Sequence, residues 1–250
     1  MYKHVVELIV GISFMLSTTL TLATETIVFE SGTTQNTLVE LYTSEGCSSC
    51  PPAEKYLNSL KNNKRLWKTL FPIAFHVDYW DYIGWKDQYA QKEFGLRQSR
   101  YASLKRTSTV YTPAFMVNGD SWRRGVFLNS LPEKSSLAGN LIVTTNGSSV
   151  MAKYTPEKKY TFPLKINVAV LGMDLTSHIE RGENAGRFAR HDFVVVGFDS
   201  AISNDMAWSI KLPKLHYSKS KKYALTIWVS EVDNPTPLQV VGGALPSFKY

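Results

Sequence analysis

Apolar positions along this chain fall into two textures, and the change between them comes near residues 140–148. In the first texture, continuous apolar runs alternate with longer amphipathic ones. Residues 38–42 read as a strand, with Glu40 its one carboxylate. Residues 51–64 predict a helix with Pro51 in its first turn, where a missing N–H breaks no helical bond. Residues 71–77 predict a second strand. Tyr89, Ala90, Phe94, Tyr101 and Leu104 predict a helix over 86–105, with a break near Gly95. Residues 114–117 predict a third strand, and Asn118-Gly119-Asp120 turns it toward a hairpin partner at 121–126. A last helix is expected over 128–141, its start limited by Pro132. Such alternation predicts an α/β unit, a sheet covered by helices.

The second texture is a series of short runs at 148–154, 161–171, 193–198, 207–212 and 223–230. Asn146-Gly147, Pro156, Pro213 and Pro235-Thr236-Pro237 punctuate them. Ile166, Val168 and Val170 alternate with other residues, as one face of a strand does. The expectation is a mainly antiparallel β module of sandwich type. The chain is thus divided into residues 1–23, a lead-in over 24–36, an α/β domain over 37–142, and a β-rich module over 143–250.

Composition narrows the picture. With 250 residues, 44% hydrophobic and 20% charged, the chain can bury an ordinary core without a disulfide scaffold or structural metal. Lys3 and His4 precede an uncharged apolar stretch over 9–22, and Thr21-Leu22-Ala23 offers a cleavage site after Ala23. Residues 1–23 are therefore read as an export signal that delivers a periplasmic or secreted protein. The stretch is short for a membrane span, and no later segment is long and apolar enough, so no span is expected after cleavage. The net charge is +7, with lysines concentrated in the second half. They are not interleaved with stacking aromatics, so no nucleic-acid partner is expected, and the excess reads as a solvated basic face.

The chemistry centres on Cys47-Ser48-Ser49-Cys50-Pro51, which holds both cysteines of the chain. Strand, C-x-x-C and helix follow one another. A thiolate at a helix N-terminus meets unpaired N–H groups and the positive end of the dipole, which lowers its pKa. Cys47 is the expected attacking thiol, and Cys50 resolves the mixed disulfide. A purely structural staple would close too short a loop to gain much chain entropy. Thr112-Pro113 precedes the strand at 114–117 and is expected to be a cis pair, packed on the cysteines and binding an extended partner. Glu40 has two readings: a buried proton acceptor for the second thiol, or a strand residue turned to solvent.

Around the end of the second strand gather His76, Asp78, Tyr79, Trp80 and Trp85. The aromatics are expected to bind substrate or pack the loop. His76 with Cys47 and Cys50 would make a zinc or copper set, a weaker alternative, because one histidine near two thiols needs no metal. Gly182-Glu183-Asn184-Ala185-Gly186-Arg187, with His191 beyond, is a polar loop to which the pattern assigns no single role; Glu183 can pair with Arg187, and Arg187 or His191 can reach the first domain. No cofactor and no metal ligand are assigned.

The stretch Leu38-Val39-Glu40-Leu41-Tyr42-Thr43-Ser44-Glu45-Gly46-Cys47-Ser48-Ser49-Cys50-Pro51-Pro52-Ala53 resembles the opening of a bacterial exported family, domain of unknown function 1223. His76-Val77-Asp78-Tyr79-Trp80-Asp81, Gly84-Trp85-Lys86-Asp87, Val110-Tyr111-Thr112-Pro113 and Gly182 to Arg187 also match its pattern. The resemblance implies a thioredoxin-like fold carrying C-x-x-C, followed by a β-rich portion, and supplies no substrate. The resulting expectation is a thiol–disulfide oxidoreductase acting on protein or small-molecule thiols and disulfides, with a redox partner protein. A binding module with a permanent disulfide is the alternative.

Overall fold

A computed structural model describes residues 26–123, 130–133 and 135–245; the expected export signal lies outside them. Among the described residues the chain order is β1 (Ile27–Glu30), β2 (Thr37–Thr43), α1 (Pro51–Ser59), β3 (Leu70–His76), α2 (Lys92–Ser103), β4 (Ala114–Val117) and β5 (Asp120–Trp122). There follow β6 (Gly139–Thr145), β7 (Ser149–Pro156), β8 (Leu164–Met173), β9 (Leu175–His178), β10 (Phe188–His191), β11 (Val194–Ser203), β12 (Ala207–Lys211), β13 (Lys222–Glu231) and β14 (Pro237–Leu245).

The expected α/β thioredoxin-like domain with an appended β module is not what the chain builds. Strand accounts for 45% of the structure and helix for 13%, in two α-helices. One mixed sheet of eight strands, in the order β14-β13-β8-β11-β3-β2-β4-β5, runs through both halves of the sequence. The join is at β3, whose Ala74 N–H donates to the Phe193 carbonyl at 2.8 Å, with Val194 opposite Ala74 in parallel register. The physical reason is edge satisfaction: β3 is buried along its whole length, and its second edge needs a partner. The boundary drawn at 142/143 falls inside β6.

Alternation explains how this sheet is covered on both faces. In β8, Ile166, Val168 and Val170 point to one side and Ala169 and Leu171 to the other. The first side packs on a four-stranded sheet, β1-β6-β7-β12, through Leu141, Val143, Val150 and Trp208. The second joins the core under α1 and α2, built from Leu57, Phe94 and Tyr101 against Leu41, Phe75 and Trp228. A strand buried on both faces reads as a near-continuous apolar run, as β3 does and as β2 does apart from Glu40.

Several local expectations are revised. The helix over 86–105 begins only at Lys92 and passes Gly95 without a break. Residues 86–91 instead form a loop in which Asp87 Oδ1 accepts the Tyr89 N–H at 2.9 Å, a side-chain turn that competes with helix. The helix over 128–141 is also absent among the described residues there. Pro132 stands in it, and Gly139, at φ +96°, opens β6. The hairpin partner of β4 is short, ending at Trp122, and residues 124–126 lie outside the described set.

Candidate active site

Cys47 and Cys50 are joined in a disulfide between β2 and α1. Pro51 and Pro52 open α1, and Cys50 occupies its N-cap, its carbonyl accepting the N–H groups of Ala53 and Glu54. Both cysteines are buried, at 1% and 0% exposure, whereas Ser48 and Ser49 between them face solvent. Trp80 and Ile83 pack on Gly46 beside the bridge. The Thr112–Pro113 bond is cis. The indole N–H of Trp80 donates to Thr112 Oγ1 at 2.7 Å, tying the aromatic loop to that pair. Beside the cysteines, Ser49, Ala53, Tyr56, Pro113, Phe115 and Trp122 line an apolar groove of about 550 Å³. Trp122 stacks on Tyr56, with ring centroids 5.7 Å apart.

The other expected site residues divide. Asn184 is buried, and its amide donates to the carbonyls of Glu45 and Cys47 at 2.8 and 2.9 Å. The loop at 182–187 therefore clamps the approach to the disulfide, while Glu183 and Arg187 themselves are exposed. Trp85 donates its indole N–H to Glu45 Oε2 at 2.7 Å, and Tyr79 donates its hydroxyl to Gln98 Oε1 at 3.0 Å. These are packing and positioning contacts. Asp78 contributes a carbonyl that accepts the Asp81 N–H in the same loop.

Glu40 is not the solvent-facing strand residue of its second reading. It is buried, but its hydrogen bonds go elsewhere: Oε1 accepts from Nε and Nη2 of Arg97 at 2.8 and 2.6 Å, and Oε2 accepts from the Tyr101 hydroxyl. The Glu40 charge presses on the Tyr101 hydroxyl, which burial already pushes well above its ordinary pKa.

His76 is also paired, with a carboxylate as its partner. Its Nδ1 lies 2.7 Å from Asp87 Oδ2, with both side chains fully enclosed. Asp87 also accepts the Glu45 N–H at 2.9 Å. Across from it stands His191, its Nδ1 3.0 Å from Glu54 Oε2 and its Nε2 3.2 Å from Glu45 Oε1. Burial opposes protonation of His191, but Glu54 and Glu45 outweigh it and push the imidazole up to about 10. Burial likewise opposes the Glu54 carboxylate, and His191 reverses that and holds it below the usual range. The zinc or copper set of Cys47, Cys50 and His76 is not assembled, since the sulfurs are bound to each other. Among the described residues, the group spaced for a metal is Glu54, His76 and His191.

Nothing in the sequence pattern singles out a role for Glu45, Glu54 or Asp87, and His191 stands out only as a residue able to reach the first domain. Glu45 and Glu54 flank the cysteine pair, which is the one local signal that pointed to them. His191 joins them only through the pairing of β9 with β10 and the packing of that hairpin on α1.

Residues 38–230 match the family model described as protein of unknown function (DUF1223). No curated protein matches the chain. Among solved structures, the crystal structure of protein AGR_C_4864 from Agrobacterium tumefaciens is similar at 20% identity and a TM-score of 0.56, over 85% of this chain and 94% of that one. HBP35 of Porphyromonas gingivalis is similar at 13% identity and a TM-score of 0.56, over 88% of this chain and 78% of that one. At these identities the likeness concerns the fold alone. No helix among the described residues is long and apolar enough to cross a membrane.

Proposed function

We propose that this chain, which belongs to the family of proteins of unknown function DUF1223, is an exported thiol–disulfide oxidoreductase working through Cys47 and Cys50. One observation carries the reading: the only two cysteines meet at the start of a helix, beside an apolar groove reaching from Ser49 to Pro113 and Trp122. A helix start favours the thiolate over the thiol. The groove is the kind of surface on which a cysteine-bearing peptide lies.

In the reduced protein, the Cys47 thiolate attacks one sulfur of a substrate disulfide. A mixed disulfide forms, and the first substrate thiolate leaves. The Cys50 thiolate then attacks Cys47 Sγ, re-forming the internal bridge and releasing the second substrate thiolate. Two electrons pass to the substrate, and an external dithiol restores them. The groove residues bind and orient the partner; Thr112 is held by Trp80 at its edge.

The burial of both cysteines favours a second reading, a binding module whose disulfide stays closed. One experiment separates the two. A Cys50→Ser variant expressed with its export signal is expected to accumulate mixed disulfides through Cys47, seen by mass spectrometry of acid-trapped cells. Absence of such adducts, together with insulin reduction no faster than that of the Cys47→Ser/Cys50→Ser protein, would refute turnover.

A further inference from the structure

The chemistry behind the disulfide is unusual for a redox motif. Three carboxylates (Glu45, Glu54 and Asp87) and two histidines gather under the N-terminal turn of α1, and all but Glu54 are almost wholly enclosed. Ion pairing engages all five side chains. It does not account for His76 Nε2, which has no hydrogen-bond partner although the residue is 1% exposed. Nδ1 of the same ring is taken by Asp87, so the orphaned nitrogen is the one left for the cluster. An imidazole nitrogen buried without a partner forfeits a hydrogen bond that water would have supplied.

We infer that His76, His191 and Glu54 form a binding site for a divalent first-row transition ion, zinc fitting best. One ring nitrogen of each histidine and a Glu54 oxygen lie within 4.8 Å of one another. Ligand atoms around a tetrahedral zinc stand roughly 3.4 Å apart, so the longest of these separations must close by at most about 1.4 Å. The surroundings are those of a metal centre. Each histidine is backed through its other nitrogen by a carboxylate, His76 by Asp87 and His191 by Glu45. Backing of this kind fixes the tautomer and raises ligand basicity. Asp87 and Glu45 are themselves held, Asp87 by the Glu45 N–H and Glu45 by the Trp85 indole.

Charge balance is consistent with it. Three buried carboxylates face two imidazoles, and one divalent ion supplies the positive charge that two added protons would otherwise bring. Binding thus exchanges a metal for protons. Glu54 and His191 also line a pocket of about 660 Å³ that opens to solvent between α1 and β10. Three protein ligands and a route from solvent leave a coordination position for water or a ligand, the arrangement of a reactive rather than a structural zinc site.

The site is independent of the thiol chemistry, and its test keeps the thiols out of play. Disulfide-intact protein, stripped with chelator, is titrated with Zn²⁺ by calorimetry and with Co²⁺ by visible absorption. The expected result is one ion per chain, retained by Cys47→Ser/Cys50→Ser. Asp87→Asn, which removes a backing charge and not a ligand, should weaken binding by roughly 10–100-fold, and His76→Ala should abolish it. Because a core substitution can also unfold the protein, Cu²⁺-loaded wild-type protein is examined by pulsed electron paramagnetic resonance, which should reveal two imidazole nitrogens. Sub-stoichiometric Co²⁺ binding by the wild type, binding that persists in folded His76→Ala, or fewer than two imidazole couplings would overturn the assignment.

Discussion

Replacing Glu40 with Gln is the most direct way to decide what that carboxylate does. Gln keeps the shape and removes the charge. In the native protein Arg97 and Glu40 are nearly inaccessible, with side-chain exposures of 8% and 1%. The guanidinium also lies over the rings of Trp228, Phe75 and Tyr101 at 5.1, 5.5 and 5.7 Å. It therefore stays buried when its counter-charge is lost. Removing one partner of a buried pair costs about 3–5 kcal/mol, far above the ~1 kcal/mol limit of an exposed pair. For a protein of this size each kcal/mol lowers Tm by about 2–4 °C, so the variant should melt roughly 6–20 °C below the wild type. Urea unfolding gives the free energy, and alkylation of reduced Cys47 gives the thiol reactivity. Stability should fall while the alkylation rate holds. Glu40→Leu/Arg97→Met, which removes both charges, should cost clearly less than its two single variants combined. A loss below about 1 kcal/mol, or a slowed Cys47 in a protein of unchanged stability, would return Glu40 to thiol chemistry.

Asn184→Ala strands the carbonyls of Glu45 and Cys47; a loss of about 1–3 kcal/mol is expected, with faster reduction of the disulfide by dithiothreitol. Trp122→Ala removes one wall of the apolar groove, so KM for a peptide disulfide should rise while reduction of a small synthetic disulfide is unchanged. Gly119→Ala should lose more than about 1 kcal/mol by chemical denaturation, because Gly119 sits at φ +84° and a Cβ there would lie 2.4 Å from Thr236 Oγ1. His216 is held below its ordinary pKa by burial, its Nε2–H donating to the Tyr89 carbonyl at 3.2 Å. The unfolded chain therefore takes up its proton first as the solution is acidified. The contribution of His216 is complete above about pH 6.5 and is lost on going below it; the slope of Tm against pH in that window should be smaller in His216→Gln.

Strands buried on both faces were the most legible elements. β3 and β4 stand out as apolar runs, β2 does so with Glu40 as its one interruption, and the cysteine pair marks the start of α1. β14 is absent from the expected strands, and it carries Gly242 and Gly243 in its middle. In the sheet, only glycine fits at 242, where a Cβ would fall 2.1 Å from the Leu225 carbonyl oxygen. The helix expected over 128–141 runs into β6, where Leu141 and Val143 are alternate positions of one strand face. The split into two domains came from a real shift in texture at 140–148, but hydrogen bonding across a sheet ignores texture. At the site, the C-x-x-C was visible from spacing alone. The histidine–carboxylate cluster was not, because its members come from four separate stretches of chain and only the packing of α1 on the β9–β10 hairpin brings them together.

The seam at β3 also sets an order in which the molecule can be assembled. As the chain is synthesised, β2, β3, β4 and β5 emerge together, yet Ala74 must wait for Phe193 and Val194 before its edge is paired. Pairing across so long an interval is slow, since the intervening chain must be closed into a loop before any contact rewards it. Throughout that wait an apolar strand presents open hydrogen-bonding groups to any neighbouring chain. The cysteines thus stand for a time on an unfinished sheet, without the Asn184 clamp and without His191. Any partner that binds this protein as a nascent chain meets a thiol pair far more accessible than the one enclosed in the finished fold.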